Sequence, residues 1–195
     1  MNIMLTGITG ILGSQVFYEL LKREDIDCFF LLIRRKGRLL PKDRLQKIFT
    51  TYAPYLSKFT YISTAFCLGN VGGVLDNNFH NKVANYRNHY EASKHATEFY
   101  LRGQVQSTGV EVQIVRPSIL GGTVYNQEKY FISCFKVYYL LARFFYNNPL
   151  ARSNSIRLAI NSKTTLNVVP VDYAAKVIAK VFSKNIEQLS LLLID

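Results

Sequence analysis

Asn2-Ile3-Met4-Leu5-Thr6-Gly7-Ile8-Thr9-Gly10-Ile11-Leu12-Gly13 decides the fold of this 195-residue chain. Asn2-Ile3-Met4-Leu5 reads as a short apolar strand, and a helical pattern follows over 14–22. A strand, a glycine-punctuated turn and a helix opening form the phosphate-binding start of a dinucleotide fold. Each glycine has a task there. Gly7 permits the tight turn, Gly10 lets backbone N–H groups approach a pyrophosphate, and Gly13 lets the helix pack close to the strand. The spacing is G-x-x-G-x-x-G rather than G-x-G-x-x-G, and an ordinary strand-to-helix turn is the competing reading. The position directly after an apolar strand favours the phosphate.

Asn88-His89-Tyr90-Glu91-Ala92-Ser93-Lys94 lies in a helix-forming run, and the i,i+4 spacing puts Tyr90 and Lys94 on one helix face. An ammonium beside a phenol favours the phenolate, which lowers the tyrosine pKa towards a range useful for proton transfer. With thirteen tyrosines in the chain, the spacing by itself is equally a solvated face. A third element supports the chemical reading. Lys58-Phe59-Thr60-Tyr61-Ile62-Ser63-Thr64 reads as a strand ending in two hydroxyls, and such a hydroxyl can bind a carbonyl oxygen while the tyrosine protonates it. Alone, the two hydroxyls would read as a turn.

Together these elements resemble the extended short-chain dehydrogenase/reductase superfamily. The resemblance implies an α/β fold, a doubly wound, parallel, Rossmann-like sheet. It makes Thr64, Tyr90 and Lys94 the catalytic trio, with Gly7, Thr9, Gly10, Ile11, Leu12 and Gly13 on the cofactor. Val115-Arg116-Pro117-Ser118-Ile119-Leu120-Gly121 resembles the strand and loop that touch the nicotinamide, which adds Pro117, Ser118 and Ile119. Leu166-Asn167-Val168-Val169-Pro170-Val171-Asp172-Tyr173-Ala174-Ala175 resembles a segment of the thioester-reductase and fatty acyl-CoA reductase branch, and Leu32-Ile33-Arg34-Arg35 agrees with it.

The length suits one domain over 1–195, with a partial substrate region towards its end, burying about 70% of the surface the unfolded chain exposes. A hydrophobic content of 49% excludes a disordered chain. Cys28, Cys67 and Cys134 are odd in number and unpatterned, which argues against a disulfide framework and against a metal site. With no leader before the first strand, the expected location is cytoplasmic. The formal charge of +11 is scattered except at Arg34-Arg35-Lys36-Gly37-Arg38. That cluster follows the second strand, where an acidic residue would select NAD and arginine accommodates a 2′-phosphate. Arg34 and Arg35 therefore point to NADP, and no nucleic-acid partner is expected.

Strands are expected at 2–6, 28–33, 59–64 and 111–116, and helices at 11–23, 41–50, 84–106, 127–147 and 172–183, with an extended segment at 165–169. Such alternation argues for a parallel sheet. The aromatic 127–147 stretch reads as core packing, the wall of an acyl pocket or a membrane-surface helix. His80, His89 and His95 have no ligand spacing, and His89 and His95 read as surface residues.

Between Arg34 and Thr64 the superfamily supplies two more strand-helix units than this chain has, roughly 60 residues at about 30 per strand-helix-strand unit. The strand beside the first one should be among those missing. The expectation is a sheet closed by pairing 2–6 directly with 59–64, which sends the 41–50 helix to the opposite face if crossovers stay right-handed. The alternative is a gap that leaves the first strand with an apolar edge prone to dimerisation. The resemblance implies an NADP-dependent reductase of an acyl thioester, small or carrier-bound, or of another carbonyl. A nucleotide-sugar epimerase or dehydratase and a non-catalytic, truncated remnant stand as alternatives.

Overall fold

Strands and helices alternate along the chain in the order the apolar periodicity demands. A computed structural model describes residues 1–8, 10–32, 58–71, 85–125, 138–148, 161, 163, 165–182 and 190–193. The elements are β1 (Asn2–Thr6), α1 (Ile11–Leu21), β2 (Cys28–Leu32), β3 (Lys58–Ile62), a 3₁₀ turn (Ala65–Leu68), α2 (His89–Thr108) and β4 (Glu111–Pro117). They continue with β5 (Ile119–Leu120), α3 (Tyr138–Asn147), β6 (Val168–Val169), α4 (Val171–Phe182) and β7 (Ser190–Leu193). Thr9, Arg34, Arg35, His80, the 41–50 helix and the 126–137 part of the aromatic stretch lie outside the described residues.

Every described strand pairing is parallel: β1 with β2, β3 with β4, β4 with β7, and β5 with β6. β4 shows why helices cover both faces. Its residues are buried from Val112 to Pro117, as expected of a strand with no wet side. Val112 and Ile114 join Leu101 and Val105 of α2 and Phe59 and Tyr61 of β3 in one cluster. Val115 points the other way, into a cluster with Ile3 of β1, Val16 and Leu20 of α1, and Ala175, Ile178, Ala179 and Val181 of α4. This is a doubly wound α/β fold, shortened relative to its solved neighbours.

The sheet does not close in the expected way. Among the described residues β1 pairs with β2 alone, while β3 belongs to the separate β3–β4–β7 sheet. What joins the two sheets is apolar packing: Ile3 of β1, Ile62 of β3 and Val115 of β4 meet in one cluster under α1 and α4. Burial is non-directional and contributes roughly 1.5–3 kcal/mol for each large aliphatic side chain. It can fasten two sheets at a spacing that a 4.7–4.9 Å hydrogen-bonding ladder would not allow.

Local chemistry also moves one helix boundary. The expected 84–106 helix begins at His89 because Asn88 caps it, its side chain accepting from Glu91 N–H at 2.9 Å. The Glu91 carboxylate returns to Arg87 N–H at 3.1 Å, a reciprocal cap that fixes the first turn. Gly109, at φ +68°, ends the helix in the left-handed conformation. His89 is exposed as expected, but His95 is buried, with Nδ1 2.6 Å from the Tyr86 hydroxyl. It lies one turn beyond Glu91 on a buried stripe that runs through Glu98 to Leu101. No helix among the described residues is long and apolar enough to cross a membrane.

Candidate functional site

The glycine loop does what its spacing requires. Gly7 sits at φ +75°, and its carbonyl accepts from Gly10 N–H at 2.9 Å to close the turn. Gly10 then caps α1, and its carbonyl accepts from Ser14 N–H at 2.9 Å. A Cβ on Gly13 would lie 2.1 Å from the Gly7 carbonyl oxygen, so only glycine allows this approach of helix to loop. Thr6, Gly7 and Gly10 are exposed, and α1 opens without a side-chain cap and without an acidic residue in its first turn. Helix-start N–H groups left open in this way suit an anion. Ile11 and Leu12 supply such backbone groups, while the Leu12 side chain packs against the core.

The hydroxyl and amine groups gather where β3 ends. Lys94 Nζ donates to the Ile62 carbonyl at 2.7 Å and lies 4.8 Å from the Tyr61 ring centre and 5.7 Å from that of Tyr90. Thr64 is buried and caps the 3₁₀ turn, its Oγ1 accepting from Phe66 N–H at 3.3 Å. Its own O–H remains available to donate. Ser63 holds β3 to β4 through its N–H, 2.7 Å from the Val115 carbonyl, and its buried hydroxyl makes no ordinary hydrogen bond. Tyr90 stands in the first turn of α2, 59% exposed.

Electrostatics at this point are set by burial. The Tyr90 phenol is pushed above its ordinary pKa by desolvation, contrary to the lowering that a lysine neighbour suggests from spacing. The cause is where the ammonium goes: it sits on the Ile62 carbonyl and against ring faces, not on the phenol oxygen. Burial pushes Lys94 below its ordinary value, while Glu98 and then Cys67 act in the opposite sense. Tyr61 is raised by burial as well.

The nicotinamide-type segment is tied to its neighbours. Pro117 ends β4, Ser118 Oγ donates to the Asn167 carbonyl at 2.9 Å, and Ile119 pairs with Val168. The structure thus brings Thr64, Tyr90 and Lys94 to one strand end and sets the 117–119 segment at the end of the neighbouring strand β4. None of the described hydrogen bonds, ion pairs or ring contacts joins the 7–13 loop to that trio. The two are linked through the core under α1.

Sequence reasoning passed over two buried anchors. Arg116, fully buried, grips Glu98 with Nε 3.1 Å from Oε1 and Nη2 2.7 Å from Oε2. Asp172, also fully buried, accepts from Val124 N–H at 3.0 Å and from Tyr125 N–H and Tyr173 N–H, fixing the loop after β5 to the start of α4. The available signal was a charge inside an apolar run: Arg116 in Val-Gln-Ile-Val-Arg-Pro, and Asp172 in Val-Val-Pro-Val-Asp.

Residues 5–58 and 53–178 match the family model of NAD-binding domains described as male sterility protein. The match falls in two pieces, and the junction lies in the interval where strand-helix units are missing. No curated protein matches the sequence. Among solved structures, the reductase domain of the aureusimine biosynthetic cluster is 16% identical with a TM-score of 0.72, over 98% of this chain and 67% of that one. The terminal R domain of the myxalamid PKS-NRPS pathway is 16% identical with a TM-score of 0.66, over 100% of this chain and 66% of its own. UDP-glucuronic acid 4-epimerase from Bacillus cereus, solved with NAD, is 11% identical with a TM-score of 0.68, over 100% and 78%.

Proposed function

Because the chain belongs to the male sterility protein family, as a shortened member of the extended short-chain dehydrogenase/reductase superfamily, we propose that it is an NADP-dependent reductase of an acyl thioester or other carbonyl. The observation that carries the reading is Lys94 hydrogen-bonded at 2.7 Å to the Ile62 carbonyl where β3 ends, two residues before Thr64, with its Nζ 5.7 Å from the Tyr90 ring centre. The cofactor's phosphates would fit the exposed Gly7 and Gly10 and the start of α1, which has no side-chain cap. Pro117, Ser118 and Ile119 would flank its nicotinamide, and Arg34 and Arg35 would select the 2′-phosphate. When bound, the cofactor supplies hydride.

The chain's own residues handle the oxygen and the proton. The Thr64 hydroxyl, already accepting from Phe66 N–H, keeps its proton to donate to a carbonyl oxygen. Tyr90 carries the phenol that would deliver a proton to that oxygen as negative charge develops, although desolvation makes it a weaker acid here than its spacing to Lys94 implies. Lys94, with Nζ 5.7 Å from the Tyr90 ring centre, is the cation that would stabilise the phenolate left behind.

Fluorescence titration with NADPH and NADH is the first test, with NADPH expected to bind more tightly. Equal affinities would remove the NADP assignment. Oxidation of NADPH is then followed across a panel of acyl-CoA thioesters and simple aldehydes, with turnover expected. The same trio serves epimerases and dehydratases, a reading favoured by the overlay on the Bacillus cereus epimerase. Conversion of nucleotide sugars alone would establish it. Tight NADPH binding with no turnover of either panel would make the chain a non-catalytic binder.

A further inference from the structure

Between Glu128 and Asp172 the chain carries no acidic residue, six basic ones and eight tyrosines or phenylalanines. Helix α3 lies in that interval, and it keeps much of its apolar surface in water. Leu140 is 54% exposed, Phe144 55% and Tyr146 73%. One exposed apolar side chain is ordinary, but three on a ten-residue helix call for a partner. Leu140 and Phe144 stand one turn apart and, with Arg143, Asn147 and Asn148, line a shallow groove of about 480 Å³. The Phe145 ring stands edge-on to that of Phe144, with centres 5.5 Å apart, and steadies it.

The surface is continuous with ordered parts of the fold. The Tyr139 hydroxyl accepts from Gly122 N–H at 3.1 Å, which ties α3 to the loop after β5. Three residues further on, the exposed Tyr125 has its backbone N–H on the buried Asp172, and Lys176 of α4 lies 5.1 Å from its ring centre. Helix α4 turns Tyr173, Lys176 and Lys180 to solvent, and its one acidic residue, Asp172, is buried. Exposed rings and cations therefore recur on both sides of the Tyr139 tie.

Three occupants could cover α3, and charge separates them. A second copy would bring two basic, acid-free segments together, and like charges would oppose the contact. An acidic protein would answer the charge but would also need a shape matched to the rings. An anionic bilayer answers both features without a matching shape. Its headgroups meet the cations, and aromatic rings rest at headgroup level above the acyl chains. Arg143 suits that layer, since its stem can follow Leu140 and Phe144 while the guanidinium stays with the phosphates. At about 15 Å, α3 is far too short to span the bilayer and would lie along its surface.

We propose that α3 is a surface anchor for anionic membranes, with Leu140 and Phe144 entering the acyl boundary and Arg143 on lipid headgroups. The proposal stands apart from the reductase reading, and neither depends on the other.

The test is co-sedimentation of the whole chain with vesicles of phosphatidylcholine, with and without about one-third phosphatidylserine. Binding is expected to the anionic vesicles at low salt and should weaken steeply towards about 0.5 M salt. Leu140→Ser/Phe144→Ser should lose affinity about tenfold or more, and Arg143→Gln about fivefold at low salt. Phe99→Ser is the control, because Phe99 is equally exposed but lies on α2. It should bind as the parent does. The chain has no tryptophan, so Phe144→Trp supplies a single reporter in a protein with its aromatic surface kept. Its emission should move to shorter wavelength on anionic vesicles and be quenched by brominated acyl chains, whereas Phe99→Trp should do neither. No binding to anionic vesicles at low salt would overturn the proposal. So would binding that the double variant retains, or an unshifted Phe144→Trp. Sedimentation velocity without lipid covers the remaining case: a dimer that the double variant abolishes would assign the face to a second copy and overturn the anchor.

Discussion

Replacing Gly13 by alanine should destabilise the protein even though alanine is the better helix former. The Cβ would lie 2.1 Å from the Gly7 oxygen, 2.7 Å from the Gly7 carbonyl carbon and 3.2 Å from Ile8 Cα. Ordinary contact begins at 3.4 Å, so relief requires about 1.3 Å of movement between two backbones. Helix α1 cannot retreat freely, because Val16 and Leu20 are buried in the cluster shared with α4. The upper end of the overpacking range is ~3 kcal/mol, and ~1 kcal/mol returns with the loss of a helical glycine. The net loss is about 2 kcal/mol, which for a chain of this size lowers the melting temperature by about 4–8 °C. Gly103 in α2 is the control, since a Cβ there meets nothing within 4 Å. Gly103→Ala should raise the melting temperature by about 2–4 °C. Thermal and urea unfolding of both variants measure this. A Gly13→Ala protein that melts at or above the parent, as Gly103→Ala should, would refute the argument for close packing.

Tyr90→Phe should lower any carbonyl reduction by about 10²–10⁴-fold while NADPH affinity and melting temperature hold, because a general acid is lost from an exposed ring; steady-state rates beside a binding titration measure this. Asp172→Ala should cost at least about 2 kcal/mol by stranding the N–H groups of Val124, Tyr125 and Tyr173, and Asp172→Asn less, read as urea midpoints. Cys67 keeps its proton in the fold up to about pH 12 against an ordinary value of 9.0, so its contribution is complete below pH 9 and is lost as pH rises to 12, at up to about 1.4 kcal/mol per unit. Tyr61, also raised, adds a loss of the same sign above pH 10, whereas the depressed Lys94 opposes both until its unfolded value near 10.5 is passed. Cys67→Ala should therefore show a shallower fall of stability between pH 9 and 12 in urea titrations.

What could be read from the sequence was what short-range geometry fixes. Gly7, Gly10 and Gly13 constrain a turn of a few residues, and the positive φ of Gly7 and the close approach at Gly13 are those their spacing implies. Tyr90 and Lys94 share a face because the helix period places them there, although the helix starts at His89, where the Asn88–Glu91 cap sets its first turn. Contacts that need a distant partner were not legible. Glu98 meets Arg116 only once α2 lies on β4, and the inward turn of His95 depends on Tyr86 reaching it from before the helix. The direction of the Tyr90 shift was missed for a related reason: spacing brings the ammonium near but does not reveal that the Ile62 carbonyl takes it. The pairing of β1 was the hardest to foresee, since a strand's neighbour is chosen by the whole fold.

A joint of oil has a different temperature dependence from a joint of hydrogen bonds. Among the described residues the β1–β2 sheet, with the glycine loop, meets the β3–β4–β7 sheet, with Tyr90 and Lys94, through aliphatic side chains and not through a ladder. Apolar attraction weakens on cooling. The two halves should therefore loosen from each other first in the cold, with the amides of β1 and β2 exchanging through an opening that leaves β3 and β4 protected. A ligand that spans the halves would act as a rivet, stabilising the joint by mass action in proportion to its occupancy. Chilling and ligand would then pull the same joint in opposite directions.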